Sequence, residues 1–327
     1  MQFLTLIGRR IAWGLGLLVA VLVLNFTLIH IAPGDPADVI AGEMGGATQE
    51  SLAQIRAAYG LDRPFLEQLG VYVARVAQGD LGYSFYFNRP VTELILDRLW
   101  PTILLVVTSL LFAVFLGTFL GVYAAKRPSG IVSHLVTVLA LVGYALPVFW
   151  TGIMLLILFA SWIPLFPVSG MYDISGPREG LTYVLDVLHH LVLPVVTLST
   201  IYLAIYSRLA RASMLDVLGA DYIRTARAKG LRQGKVIYKH ALRNAVLPVV
   251  TYAGLQFSHL LSGAVLVETV FSWPGLGTLA FDSLLRRDSP TLLGILFFSA
   301  LIVIVVNLLT DLSYRLIDPR IRSGARA

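Results

Sequence analysis

There is no cysteine among the 327 residues. That excludes disulfides, thiolate metal sites and a cysteine nucleophile. Charge is also scarce: Asp, Glu, Lys and Arg make up 13 % of the chain, against about 25 % in soluble domains. The deficit is concentrated. Ile11–Pro33, Pro101–Ala125, Ile131–Met171, Val187–Ser207, Asn244–Val267 and Pro290–Thr310 contain none of the four charged residue types. Each contains the roughly 20 residues needed to cross a hydrocarbon layer of about 30 Å. Backbone groups in lipid must satisfy one another, which restricts such segments to helices. The expected fold class is all-α, a polytopic membrane protein with six transmembrane helices.

Further absences narrow the chemistry. No G-x-x-x-x-G-K-[ST] run occurs, so the chain lacks the phosphate cradle of a P-loop. No HExxH helix, Ser-His-Asp set or paired carboxylates stand out, and the chain reads as no enzyme. The spans carry no acidic residue, and only Asp311 approaches one. Ion-driven carriers usually keep ionisable groups within the membrane, so an external energy source is the simpler reading. A secondary carrier with backbone ion sites is the alternative of another class. An intramembrane hydrolase would need a polar catalytic pair inside the spans.

What charge there is sorts by side. With the N-terminus inside, segments 1–10, 126–130, 208–243 and 311–327 contain 17 of the 25 Lys and Arg, including all four lysines, but only 4 of the 19 acids. The positive-inside rule therefore places both termini in the cytoplasm. The net charge of +6 belongs to that face, and no nucleic-acid partner is needed to explain it. Arg9 and Arg10 precede an apolar run, as in a signal peptide, but the run is too long for an h-region and reads as an uncleaved first span.

The segment after the first span is long and patterned. Thr48 to Tyr59 reads as an amphipathic helix with Leu52, Ile55 and Tyr59 on one side. Asp62 and Pro64 mark a second helix start, and Leu66, Leu69, Tyr72, Val73 and Val76 continue at helical spacing. The predicted organisation is a tail and first transmembrane helix over 1–33, a small helical outer cap over 34–98, and a five-helix core over 99–327 that includes a cytoplasmic loop, 213–243.

From that loop into the next span runs Asp221 to Leu247, DYIRTARAKGLRQGKVIYKHALRNAVL. Asp221 is placed to cap a short helix, Gly230 to end it in the left-handed conformation, and Arg227 and Lys229 to oppose its dipole. Tyr222, Ile223 and Ala226 are expected to share an apolar face. Arg224-Thr225-Ala226, three residues, Gly230, nine residues, then His240-Ala241-Leu242 resembles the EAA loop of ATP-binding-cassette importer membrane subunits. Arg224 and Thr225 replace the general Glu and Ala, His240 replaces Ile, and Arg243 replaces Pro. The form here, TARAKG then HALRNAVLP, is similar to the dipeptide, oligopeptide and nickel branch, specifically its first, B-type, permease. IAPGDPADVIAG, YGLDRPFLEQ, GDLGYSF and FSWPGLGTL, with Glu268 ahead of the last, resemble the same branch, so the likeness covers essentially the whole chain.

The resemblance implies half of a translocation pathway for di/oligopeptides or a related small cargo. A nickel-chelate or glutathione importer of the same architecture is the alternative. Implied partners are a second homologous permease, two ATPase subunits carrying ATP-Mg, an extracytoplasmic substrate-binding protein and the lipid of a bacterial inner membrane, with no cofactor on this chain. The ATPase-coupling role falls on Tyr222, Ile223, Arg224, Thr225, Ala226, Arg227, Ala228, Lys229, Gly230 and Leu231.

Other residues carry further expectations. Ser258 and His259 lie within the fifth span and are candidates to line the pathway. His189 and His190 point about 100° apart on a helix, which suits packing better than a shared metal. Pro147 and Pro194 should kink their spans. Gly117, Gly121, Gly143, Gly254 and Gly263 would allow close helix approach. Trp100, Trp150, Trp162 and Trp273 fit an interfacial belt. Pro274 to Gly277 reads as a rigid outer turn.

Overall fold

The computed structural model describes residues 2–31, 52–53, 56, 62–176 and 179–317. The uncharged stretches become helices: α1 (Gln2–Ile31), then α2 (Phe65–Ala77) in the outer segment, α3 (Val91–Lys126), α4 (Ile131–Ala145) and α5 (Val148–Leu156). A π-wound turn, Ile157–Trp162, prolongs α5. Next come α6 (Gly180–Leu218), the short α7 (Asp221–Ala228), a helical segment 233–245 that is π-wound over Val236–Ala241, α8 (Leu247–Val270), α9 (Leu276–Arg286) and α10 (Ser289–Ile317). The strands among the described residues are a two-residue hairpin, β1 (Tyr83–Ser84) antiparallel to β2 (Arg89–Pro90).

Four of these helices, α1, α3, α6 and α10, contain segments long and apolar enough to cross a membrane among the described residues. A fifth crossing arises if α4 and α5 are one broken span. They meet at 106°, where a single kinked helix was expected. The cause is Pro147. Its ring forces the preceding residue out of the helical region, and Leu146 is extended at φ −80°, ψ 135°. Pro194 does not break its helix. It is buried inside α6, between Leu193 and Val195, and the helix runs on without a break. Neighbouring helices hold the backbone there, which membrane helices permit. With 36 and 39 residues, α3 and α6 extend about 54 and 58 Å at 1.5 Å per residue, well beyond the hydrocarbon. The last turns of α6 carry Arg208, Arg211 and Asp216 past the apolar run.

The chain falls into two compact units. One comprises 1–100 and 275–309. Its core joins Leu22, Val76, Val91, Ile95, Leu279 and Ile295. The second expected outer helix is α2, with Val76 buried and Tyr72 packed on that core, but Leu66 is 77 % exposed. The first, Thr48 to Tyr59, and IAPGDPADVIAG lie largely or wholly outside the described residues. α10 starts on a side-chain cap: the Asp288 carboxylate accepts the Thr291 backbone N–H at 3.3 Å and its hydroxyl at 2.6 Å, and also the Ser84 hydroxyl.

The other unit comprises 101–274 and 310–327. α6 is its central helix, packed against α4, α5 and α8. α3 crosses α6 at Gly117 and Gly121. A Cβ at Gly117 would lie 2.8 Å from Tyr206 Cβ, and one at Gly121 would lie 2.8 Å from Ala210 Cβ and closer still to the Ser207 carbonyl. Only glycine permits that backbone contact. Gly143 meets α6 at Thr200 Cγ2 in the same way, 2.9 Å away, whereas Gly263 has an ordinary 3.4 Å neighbour, Leu198 Cδ1. The Gly254 carbonyl accepts a hydrogen bond from Thr310 Oγ1.

Candidate functional site

The surplus length of α6 builds the site. Its last turns carry Met214, Leu215 and Leu218 to the place where α7 folds back. Only Gly219 and Ala220 separate the two helices, so Ala220, extended at φ −70°, ψ 150°, occupies the N-cap. Asp221 is therefore the first helical residue rather than the expected cap, because a cap must itself be extended. Its Oδ1 accepts from Arg224 at 3.4 Å instead. The charge still lies in the first turn, where the helix dipole favours an anion.

The other end of α7 closes as a Schellman motif. Gly230 has φ +74°. Its N–H donates to the Arg227 carbonyl at 2.9 Å, and the Leu231 N–H donates to the Ala226 carbonyl at 3.4 Å. Leu231 is thereby turned back onto the apolar cluster beneath α7.

That cluster decides which face of α7 is available. Ile223 is fully buried and Ala226 is 8 % exposed, packed with Val122 of α3, Met214 of α6, and Val236 and Ile237 of the π-wound turn. Tyr222 does not share this face. It is 45 % exposed, and its hydroxyl accepts from Asn244 Nδ2 at 2.8 Å. Helical geometry places it about 100° from Ile223, at the rim of the buried stripe. Arg224, Thr225, Arg227, Ala228, Lys229 and Gly230 are exposed.

The π-wound turn completes the seat. The Leu242 N–H reaches back five residues to the Ile237 carbonyl, accommodating one more residue than an α-helix would between the same ends. Ser213 Oγ of α6 donates to the Ala245 carbonyl at 2.9 Å. Lys126 Nζ donates to the Tyr238 hydroxyl at 2.6 Å and lies 5.2 Å from the Tyr123 ring centroid. α7 is thus fixed to three other parts of its own chain and turns a polar, basic face outward.

The description "binding-protein-dependent transport system inner membrane component" fits residues 117–323, and its N-terminal counterpart fits 2–108. The chain belongs to that family. It is similar to the dipeptide transport system permease protein DppB of Escherichia coli strain K12, with 44 % identity covering 98 % of this chain and 99 % of that one. The di/tripeptide permease protein DppB of Pseudomonas aeruginosa is 40 % identical, covering 98 % and 99 %. The oligopeptide permease protein AppB of Bacillus subtilis is 38 % identical, covering 96 % and 98 %. A chain of the methionine ABC transporter MetNI shares the fold, with TM-score 0.54 and 16 % identity over 69 % of this chain and 96 % of that one. This inner membrane component is accordingly a multi-pass, all-α permease subunit of an ATP-binding-cassette importer, not its ATPase. The family implies a binding protein and an ATPase as partners.

The permease has a second organised site that the sequence did not reveal. Glu268, near the end of α8, is fully buried, and its Oε1 accepts from Thr102 Oγ1 of α3 at 2.6 Å. Trp273 is also fully buried rather than interfacial, and its Nε1 donates to the Pro101 carbonyl at 2.9 Å. Trp100, Trp150 and Trp162 are 42–76 % exposed. The turn expected over Pro274 to Gly277 runs instead from Phe271 to Gly275, with Ser272 left-handed at φ 50° and Leu276 already helical.

The histidines do not converge. His189 Nε2 lies 2.8 Å from the Leu165 carbonyl, while His190 Nδ1 lies 2.9 Å from the Asp186 carbonyl and 3.1 Å from its carboxylate. Asp186 also accepts the Asp173 backbone N–H at 2.7 Å. Hydrogen bonds from the Ser175 hydroxyl and N–H hold the Asp173 carboxyl below the usual carboxylate range. His259 is exposed on α8, and the Ser258 side chain lies outside the described residues.

Proposed function

We propose that this permease forms half of the translocation pathway of an importer for di- and oligopeptides, with α7 as the helix on which ATP-driven movement acts. The observation that carries this reading is the seating of α7. A helix of 8 residues is too short to be stable alone. This one is held by buried Ile223 and Ala226 and by the Gly230 motif, and its other face is free. A push on that face reaches α3, α6 and α8 as one rigid displacement. The peptide cargo follows the relatives named for dipeptide, di/tripeptide and oligopeptide transport. Nickel chelates and glutathione are cargoes for competition assays to exclude.

The proposed topology has six crossings with both termini cytoplasmic. α8, with 24 residues, is long enough at about 36 Å to be the sixth, and the α4–α5 pair crosses as one broken span. Residues 34–98 form the outer cap, and 99–327 the five-helix core containing the coupling loop. The partners are a second permease of the same kind, two ATPases carrying ATP-Mg, and the extracytoplasmic binding protein. Ser258 and His259 of α8 are proposed to face the pathway between the two permeases.

Because the chain has no cysteine, single-cysteine labelling tests this directly. In sealed vesicles of known orientation, Lys229→Cys should react with an impermeant maleimide only from the cytoplasmic side, and Ser175→Cys only from the other. Purification of the tagged complex should recover the second permease and the ATPases. Labelling of Lys229→Cys from the exterior would overturn the orientation and the coupling role together.

A further inference from the structure

α7 sits in a strongly uneven field. From Asp221 to Arg243 there are seven basic side chains, Arg224, Arg227, Lys229, Arg232, Lys235, Lys239 and Arg243, and all seven are exposed. The only acid in that interval is Asp221. The two apolar residues with which a short helix would ordinarily grip a partner, Ile223 and Ala226, are already covered by this chain's own Val122, Met214, Val236 and Ile237.

We infer that α7 meets its ATPase subunit through the basic face, and that the ATPase cleft receiving it is acidic, so that the joint is electrostatic rather than hydrophobic. This rests on the docking role proposed above for the same helix. Opposite the buried stripe, helical geometry places Asp221, Arg224, Thr225 and Ala228 at the centre of the exposed face. Ala228 is small and lets a partner approach the backbone closely. Arg224 touches Asp221 at 3.4 Å, but the two side chains are 74 % and 95 % exposed. Such a pair is weak and exchangeable, and a guanidinium prefers a carboxylate that it can grip with two parallel bonds. At one edge, Tyr222 is held by Asn244 as an acceptor, which leaves its own hydroxyl hydrogen for an acceptor on the partner.

An anionic lipid surface would attract the same charges. A helix lying on lipid, however, must offer an apolar stripe to the acyl boundary, and that of α7, Ile223 with Ala226, is enclosed, leaving Tyr222 alone at its edge. The face that remains suits a protein cleft lined with Asp and Glu.

The test uses the full complex, with both permeases and both ATPases. Ala228→Cys, as the only cysteine in this chain, is cross-linked to establish which subunit lies against the helix. ATPase retention is then measured against salt for the native chain and for Arg224→Glu/Arg227→Glu. The expected result is a cross-link to the ATPase, about tenfold weaker retention between low and high salt, and a further loss on the order of tenfold or more from the reversal. Insertion and thermal stability should be unchanged, since both arginines are exposed. If the reversed chain misfolds, Arg224→Gln/Arg227→Gln should give the same loss at smaller amplitude.

A cross-link with retention indifferent to both salt and charge overturns the acidic cleft but leaves the docking role standing. Absence of the cross-link overturns the docking role itself. If the reversal leaves ATPase retention intact but abolishes binding of the permease pair to vesicles containing phosphatidylglycerol, the basic face serves lipid and the inference fails.

Discussion

Replacing Gly230 by alanine separates two ways in which this residue could matter. A Cβ built there meets no atom of this chain within 4 Å, so steric crowding contributes nothing inside the subunit. The backbone is the whole of the internal effect. At φ +74° an alanine costs about 1–2 kcal/mol relative to glycine. The chain can escape that strain only by giving up the two closing hydrogen bonds, at 2.9 and 3.4 Å, which are worth about 1 kcal/mol each. Either route removes about 1–2 kcal/mol from the seated form of α7, a 5- to 30-fold shift toward forms in which Leu231 has left its cluster. ATP-driven uptake of a labelled dipeptide into proteoliposomes containing the complete transporter should fall accordingly. Asparagine tolerates the left-handed conformation although it is larger than alanine, so Gly230→Asn should recover most of the uptake lost in Gly230→Ala. If Gly230→Asn transports as poorly as Gly230→Ala, crowding by a partner and not backbone conformation governs this position. Undiminished uptake in both variants refutes the role of the motif in coupling.

Three further outcomes follow from the same structure. Gly121→Leu should prevent the close crossing of α3 and α6, since even a Cβ would press on Ser207 and Ala210; the expected result is loss of folded subunit after detergent extraction, by size-exclusion profile and thermal unfolding, whereas Gly70→Leu, with open space around it, should behave as the native chain. Trp273→Phe removes the Nε1 bond to Pro101 and should lower stability by about 1 kcal/mol or more, while Trp162→Phe, at a position 76 % exposed, should leave it nearly unchanged in thermal unfolding. Ser175→Ala removes the hydroxyl that holds the Asp173 carboxyl low and leaves the N–H bond; because a lowered carboxylate stabilises the fold above its unfolded pKa and loses that effect as pH falls through the folded value, protection of the Asp173 and Ser175 amides, corrected for the intrinsic exchange rate, should fall on acidification in the native chain, and should start lower and depend less on pH in the variant.

The amino-acid sequence determined the membrane class, the long helices and the glycine stop of α7. Each depends on information local to the segment: charge is either absent over 20 residues or it is not, and a glycine either follows a helical turn or it does not. The positions of α1, α3, α6 and α10 and the left-handed conformation of Gly230 follow from that alone. What the tertiary structure decided is every question of which face meets which. Asp221 lost the cap position because only two residues separate it from the end of α6. Pro147 broke its helix and Pro194 did not, because the second is enclosed by neighbours and the first is free to turn. Trp273 looked like a rim residue, and Glu268 had no assigned role, until α3 supplied Pro101 and Thr102 as their partners, more than 160 residues away in sequence. The apolar stripe of α7, which in the sequence alone could serve a partner, is closed over by Met214 and Val236. Periodicity records that a stripe exists, but only the fold establishes what covers it, because the covering side chains come from remote parts of the chain whose approach depends on close crossings such as that at Gly117 and Gly121.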